Sequence, residues 1–374
     1  MIIGSLMNLG TWFRLLSLIS PTNGYAWLVI GQIFPALSQP FFTSTCAMFS
    51  ARWFSGNQRA LATSITTMAN PLGIAIGSLM PTFIVIDAQY KQFLILLLVQ
   101  AGFITLATLL IVLFYKSSPP TPPSRSQKPA VTMSSSPTTV MSNIWKDCVK
   151  LLKNKQFLML LFSFSIGLGL FSAITTLLEE IIRPCGYTTS DAGIFGAIII
   201  VAGLIGAGIA GVLMDKTHSY RLILKILIVL AFCSGIYFLL ILRPNMYYPL
   251  AVSFGLMGLF LLPLLPVVFE CSIECTFPIN EACSNGILMC SGNILGGIFI
   301  FILDALIKKH LKYTTIFTSS SIFIFCLFIC TTIVLLFYNG PYLRREAEQQ
   351  KLEFGQRTST SISIIEDEQL NGII

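Results

Sequence analysis

The chain has 374 residues, 55% of them apolar and only 10% charged, with a mean hydropathy of +0.80. A soluble domain carries about 25% charged residues, so this composition excludes a water-solvated globule and points to hydrocarbon as the solvent. The net charge of +7 is spread over separate loops, which excludes the single basic stripe of a nucleic-acid-binding protein.

A bilayer core about 30 Å thick asks for about 20 apolar residues per helix. Ten stretches qualify, roughly 2–20, 25–49, 61–86, 92–115, 156–180, 191–214, 222–242, 249–270, 284–306 and 314–338. The short alternating segments of a membrane barrel are absent. The opening MIIGSLMNLG has neither a charged leader nor a small-residue cleavage site after its first span, so no removable signal peptide is expected. In the second span Gln32 and Gln39 share a face, and Gln39 precedes Pro40, whose ring frees a carbonyl one turn earlier and bends the helix. Polar groups inside a membrane mark function by default, so Gln39 is a candidate substrate contact, with an interhelical hydrogen bond as the alternative. Arg52 and Arg59 flank the next loop.

The third span carries Asn70 at the head of an Asn-x-Leu-Gly motif, followed by Gly73 and Gly77. Residues 116–155, rich in Pro, Ser and Thr, cannot bury a core and read as a linker. From Trp145 to Lys155 basic and apolar residues alternate, as in a short amphipathic helix on an anionic leaflet. The fifth span places Phe171, Ser172 and Thr175 near its centre, an aromatic face with hydroxyls that suits a quaternary ammonium. Asp215, closing the sixth span in GVLMDKTHSY, reads as a conformational latch. Glu270, Glu274 and Glu281, at spacings of 4 and 7, share one face if the helix continues past Pro278. The ninth span repeats Asn-x-Leu-Gly at Asn293, with Gly296 and Gly297 placed for close packing. The tail after Tyr338 reads as disordered or loosely helical.

Two chemistries are not expected. Cys271 and Cys275 lie one turn apart with no His nearby, so no metal site is read from the ten Cys. His218 and His310 fall in loops and offer no haem ligand. No nucleophile, base and orienting group recur together, so an enzyme is not expected, and no cofactor is implied.

A shift of 223 residues brings Tyr25–Tyr90 onto Tyr248–Tyr313 without a gap, pairing Pro40 with Pro263, Phe54 with Phe277, Asn57 with Asn280 and Asn70 with Asn293. Parallel repeats of about six helices, with the solute held between them at the midplane, build one large class of secondary transporter. On that register the basic loop of Arg52 and Arg59 is equivalent to the acidic one of Glu270, Glu274 and Glu281, so the two sets are predicted to pair as a gate. The second half begins near Gln156, so the register expects two further helices ahead of Met1. With Met1 in the cytoplasm, sixteen Lys and Arg lie on the inner side and six on the outer, which makes both termini cytoplasmic.

GVLMDK resembles the Gly-x-x-x-Asp-Arg/Lys loop motif of the major facilitator superfamily. ARWFSGNQRALATSITTMANPLGIAIG, IGLGLFSAITTLLEE and VFECSIECTFPINEACSNGIL are similar to the feline leukaemia virus subgroup C receptor-related transporters, solute carrier family forty-nine, and to its third member most of all, through TMANPLG and FSAITTLLEE. The resemblance implies an all-α polytopic membrane protein of the major facilitator fold, with ten of the usual twelve helices present. It also implies transport of choline or ethanolamine, haem, or pyridoxine by alternating access. The choline members carry Gln where Pro71 and Asn293 stand here and Tyr where Ser172 stands, so choline is not inherited directly. The expected organisation is a half-bundle over 1–115, a linker over 116–155, a six-helix bundle over 156–338 and a tail over 339–374. Substrate contacts are Gln39, Asn70, Phe171, Ser172, Thr175 and Asn293. Gating residues are Arg52, Arg59, Asp215, Glu270, Glu274 and Glu281. The expected partners are the lipid bilayer and a small-molecule solute, with no nucleic acid, for a monomer of the plasma membrane sooner than a lysosomal one. The alternative is a non-transporting membrane receptor or an inactive partial chain.

Overall fold

A computed structural model describes residues 2–18, 23–55, 58–85, 89–116, 137–309, 319–347 and 349–350. In the first half α1 (Ile2–Leu15), α2 (Gly24–Trp53), α3 (Arg59–Ile84) and α4 (Tyr90–Phe114) follow one another. A bridging helix α5 (Pro137–Lys153) leads into α6 (Lys155–Thr176), a short α7 (Leu178–Ile182), α8 (Thr189–Thr217), α9 (Tyr220–Ile241), α10 (Tyr247–Leu261), α11 (Leu264–Thr276), α12 (Glu281–Lys309) and α13 (Ser319–Leu336).

Among the described residues seven helices are long and apolar enough to cross a membrane: α4, α6, α8, α9, α10 with α11 as one span, α12 and α13. They match seven of the ten predicted spans. Of the other three, α2 has 30 residues and α3 has 26, about 45 and 39 Å at 1.5 Å per residue. The 14 residues of α1 reach only about 21 Å before the chain tightens into a 3₁₀ turn at Leu16–Leu18.

Local chemistry explains where these helices start. Asn154 caps α6 by accepting from Gln156 N at 3.0 Å and Phe157 N at 3.3 Å, and its side-chain amide donates to the Cys275 carbonyl at 3.0 Å, pinning the start of α6 to the end of α11. Thr188 and Asp191 form a reciprocal capping box on α8. The repeat-related prolines behave differently. Pro40 lies inside a continuous α2, whereas Pro263 separates α10 from α11, with Pro266 three residues on. A proline removes one helical donor and crowds the carbonyl four residues back, and two so close together interrupt the ladder where Pro35 and Pro40 do not.

Two apolar cores form, both almost wholly in the second half. One joins Phe195, Phe238, Phe254, Leu303 and Phe328 and draws only Met68 from the first half. The other joins Leu151, Phe157, Phe269, Leu288 and Tyr338 and draws only Ala60. Between membrane helices lipid is as apolar as Leu, so these cores are held by close packing and dispersion. Phe254, for instance, lies 5.1 Å from Phe195 and 5.0 Å from Phe238 between ring centres.

Two boundary expectations change. The expected linker over 116–155 is helical from Pro137, and Leu151 is fully buried there. Residues 117–136 lie outside the described residues, as do His310 and the tail from 351. The tail, expected to be disordered or loosely helical from 339, begins as an ordered strap that is helical over 343–347. The Tyr342 hydroxyl accepts from Arg221 N at 3.1 Å, and its ring centre lies 4.2 Å from the Arg221 guanidinium. Arg344, 8% exposed, pairs with Glu281 at 2.9 Å.

Candidate functional site

The halves meet where α3 packs on α8 and α2 packs on α12. At that seam lies a cavity of about 310 Å³, walled by α2 and α3 from the first half and by α6, α8, α9, α10, α11, α12 and α13 from the second. All six predicted substrate contacts stand in its wall: Gln39, Asn70, Phe171, Ser172, Thr175 and Asn293. Gln32 does not. The repeat-related amides of Asn70 and Asn293 therefore face one space from opposite halves. Thr176, the other hydroxyl of the fifth span's central face, lines it too, whereas sequence reasoning missed Ser163, Phe164, Phe328 and Thr331 in the same wall; their signal was only a hydroxyl or ring on an apolar helix, which is too common to select.

The wall carries amides, hydroxyls and phenyl rings, and none of its described residues is charged. Some of the polarity is already committed. The Thr175 hydroxyl points back to its own helix, 2.8 Å from Phe171 O and 3.1 Å from Ser172 O, and Asn293 donates to Met289 O at 2.9 Å. Gly296 abuts α6, where a Cβ built on Gly169 would stand 2.9 Å from Gly296 N, so two helices approach without side chains between them. Close packing does not extend to Gly73, Gly77 or Gly297, where a built Cβ would meet nothing within 4 Å. Their expected role is corrected: the repeated motif lies against a helix in the second half and against open space in the first.

One end of the cavity is closed by polar contacts between the halves. Asp215 accepts from Ala60 N at 3.0 Å and from Leu61 N at 2.9 Å, so a carboxylate of α8 caps α3, where the helix dipole favours negative charge. Thr63 donates to Glu270 at 2.9 Å, and the charge of Arg59 acts on the same carboxylate. Thr63, Arg59 and Glu270 are 0%, 6% and 3% exposed, so this contact is dry.

The remaining gate expectations change. Glu281 shares no helix with Glu270 and Glu274, because α11 stops at Thr276 and α12 starts at Glu281. It pairs with Arg344, while Glu274 accepts from Arg345 N at 3.3 Å. These two carboxylates therefore meet the tail strap. Arg52 is exposed at the end of α2.

At the closed end of the cavity, buried side chains meet no partner among the described residues: Ser163 Oγ in the wall, and Ser272 Oγ and both amide atoms of Asn285 one turn beyond it. Each such group forfeits its hydration for nothing, about 1–3 kcal/mol. Asn285 was legible only as a position two turns before Asn293.

These features, two helical halves around a central uncharged cavity with polar closure at one end, define a membrane carrier fold. The Major Facilitator Superfamily family model matches residues 1–274, and the chain belongs to that superfamily. It is 28% identical over 358 residues to the choline/ethanolamine transporter FLVCR2 of Homo sapiens, covering 94% of this chain and 66% of that protein. It is 29% identical over 359 residues to solute carrier family 49 member A3 of Xenopus tropicalis, covering 92% and 72%. The chain thus spans about two-thirds of the length of these relatives. The fold is also that of the E. coli fucose:proton symporter FucP, with a TM-score of 0.61 at 13% identity over 90% of this chain and 84% of that one.

Proposed function

We propose that the chain carries a small organic solute across a membrane by alternating access, its halves rocking about the cavity at their seam. The observation that carries this reading is the convergence of Gln39 and Asn70 from one half with Phe171, Ser172, Thr175 and Asn293 from the other on one uncharged cavity. A volume of about 310 Å³ lies at the small end of ligand pockets. It favours a solute the size of choline, ethanolamine or pyridoxine over haem. Phenyl faces attract an ammonium group without a counter-charge, and the amides and hydroxyls suit a hydroxyl group. The relatives' named substrates, choline and ethanolamine, have this chemistry.

In this reading the basic loops and both termini are cytoplasmic, the contacts of Asp215, Arg59 and Glu270 form the inner gate, and the present state has that gate shut. Opening it exchanges the α3 cap and the Thr63–Glu270 bond for water. Hydrogen bonds to charged groups contribute about 1.5–3 kcal/mol each, a size that the hydration of buried polar groups offsets. A monomeric carrier in the plasma membrane is the simplest assembly, and no reaction is assigned to it.

Uptake of labelled choline, ethanolamine, pyridoxine and haem by cells expressing the chain tests the proposal. Accumulation of one small amine or vitamin above the empty vector is expected. Vector-level uptake and efflux of all four, with the protein at the surface, would leave the receptor reading.

A further inference from the structure

The orphaned polar groups beneath the cavity form a pattern. Met289 lines the cavity on α12, and Asn285 stands one turn nearer the closed end. On α11 Val268 lines the cavity, and Ser272 stands one turn nearer the same end. Residues four apart lie on one helix face, so both helices carry the cavity stripe onward as polar side chains. On α6 the stripe reaches Ser163, which is itself in the wall. Asn285 and Ser272 are 0% exposed and Ser163 is 2% exposed, and all three carry polar atoms without a partner among the described residues.

An apolar residue would pack all three places without that penalty. Packing in the shut state therefore does not account for them. Three helices that line the cavity each carry such a group, Ser163 in the wall itself and Ser272 and Asn285 one turn beyond it toward the gate end, Ser272 two residues past Glu270. The arrangement has a physical rationale if these side chains are dry only while the gate is shut and meet water or solute when it opens.

We infer that Ser163, Ser272 and Asn285 form a second, inner solute position, hidden in the present state, that the solute occupies after leaving the cavity and before reaching the cytoplasm. This rests on the transport reading above and deepens it. The amide of Asn285 both donates and accepts, so the position takes a solute group that does the same, a hydroxyl or a primary amide. It carries no charge of its own, so it passes an ammonium head without trapping it. The orphaned groups also bias the gate: their poor solvation destabilises the shut state, and hydration on opening relieves it.

The test is Asn285→Leu in the full chain, read as the thermal unfolding midpoint of the purified protein and as uptake of labelled choline by expressing cells. The inner position requires the midpoint to rise by about 2 °C, because an orphaned amide is removed from the shut state. It also requires uptake to fall about tenfold at equal surface abundance. Ser272→Ala, which cannot clash, should shift both in the same directions by less. A lower midpoint with Ser272→Ala, or unchanged uptake with Asn285→Leu, overturns the inference and returns these groups to packing. If the unaltered chain takes up no choline, the solute assignment fails separately. The midpoints then decide alone: a rise upholds the hydrated position and a fall removes it.

Discussion

Six of the seven helices that qualify as membrane spans belong to the second half, and only α4 belongs to the first. The second half also holds most of the buried apolar side chains. Both halves nevertheless give polar groups to the cavity and its closure. Gln39, Asn70, Arg59 and Thr63 face Asn293, Phe171, Asp215 and Glu270. Coherence and function are therefore distributed differently. The second half holds both apolar cores; the first packs α1 on α2 and α4 and joins the second where α3 meets α8 and α2 meets α12, with polar contacts at one end of that seam. Those contacts stabilise the shut state and, in the proposed cycle, are the ones that must break.

The largest effect should come from unbalancing the dry contact. Arg59→Ala leaves Glu270, 3% exposed, without its nearby opposite charge, and an unpaired buried charge costs about 3–5 kcal/mol. A marked loss of thermal stability and surface abundance is expected, with partial recovery when Glu270→Gln is added. If the double variant is no better than the single, the two residues do not act as a pair.

Asp215→Ala should cost less, about 1–2 kcal/mol, because it removes a helix cap and a favourable dipole contact. The gate reading ties this loss to the seam. Thermal unfolding should shift down by a few degrees, about 2–4 °C, and a cysteine placed at Leu61 should become more accessible to thiol reagents. Unchanged labelling would confine Asp215 to capping α3.

Asn70→Ala and Asn293→Ala compare the halves directly. Each removes one amide from the same cavity, so each should depress uptake about fivefold to tenfold, roughly 1 kcal/mol or slightly more, while leaving surface abundance intact. Near-equal losses would support a solute held between the repeats. A loss confined to Asn293 would place recognition in the second half alone.

The smallest effect belongs to a contact internal to one half. Arg344→Ala breaks the 2.9 Å pair with Glu281 but leaves the seam untouched, and because the Glu281 side chain keeps 21% of its surface exposed and can rehydrate, the loss stays below that of the dry Arg59–Glu270 contact. A slight drop in midpoint with normal uptake is expected. Collapse of uptake, measured at equal surface abundance, would make the tail strap part of the gate.

Much of this was legible in the chain because its physics is local. Long apolar runs dictate helices in hydrocarbon, where every backbone group must be satisfied within its own segment. The Asn-x-Leu-Gly repeats likewise set Asn70 and Asn293 at matching depths without reference to any neighbour. The partners of Glu274 and Glu281 were not legible. Spacing placed them with Glu270 against a basic loop, but the break between Thr276 and Glu281 and the returning strap of Tyr342, Arg344 and Arg345 took them elsewhere.

By itself, then, the sequence determined the solvent, the helical class, the register of the two halves and which amides lie deep within them, since hydropathy and periodicity need no partner. Only the tertiary structure decided that Asp215 caps α3, that Gly296 packs while Gly73 stands open, and that the buried Asn285 amide meets no partner among the described residues. Each of these depends on which helix lies alongside, and that choice is made by contacts far apart in the chain.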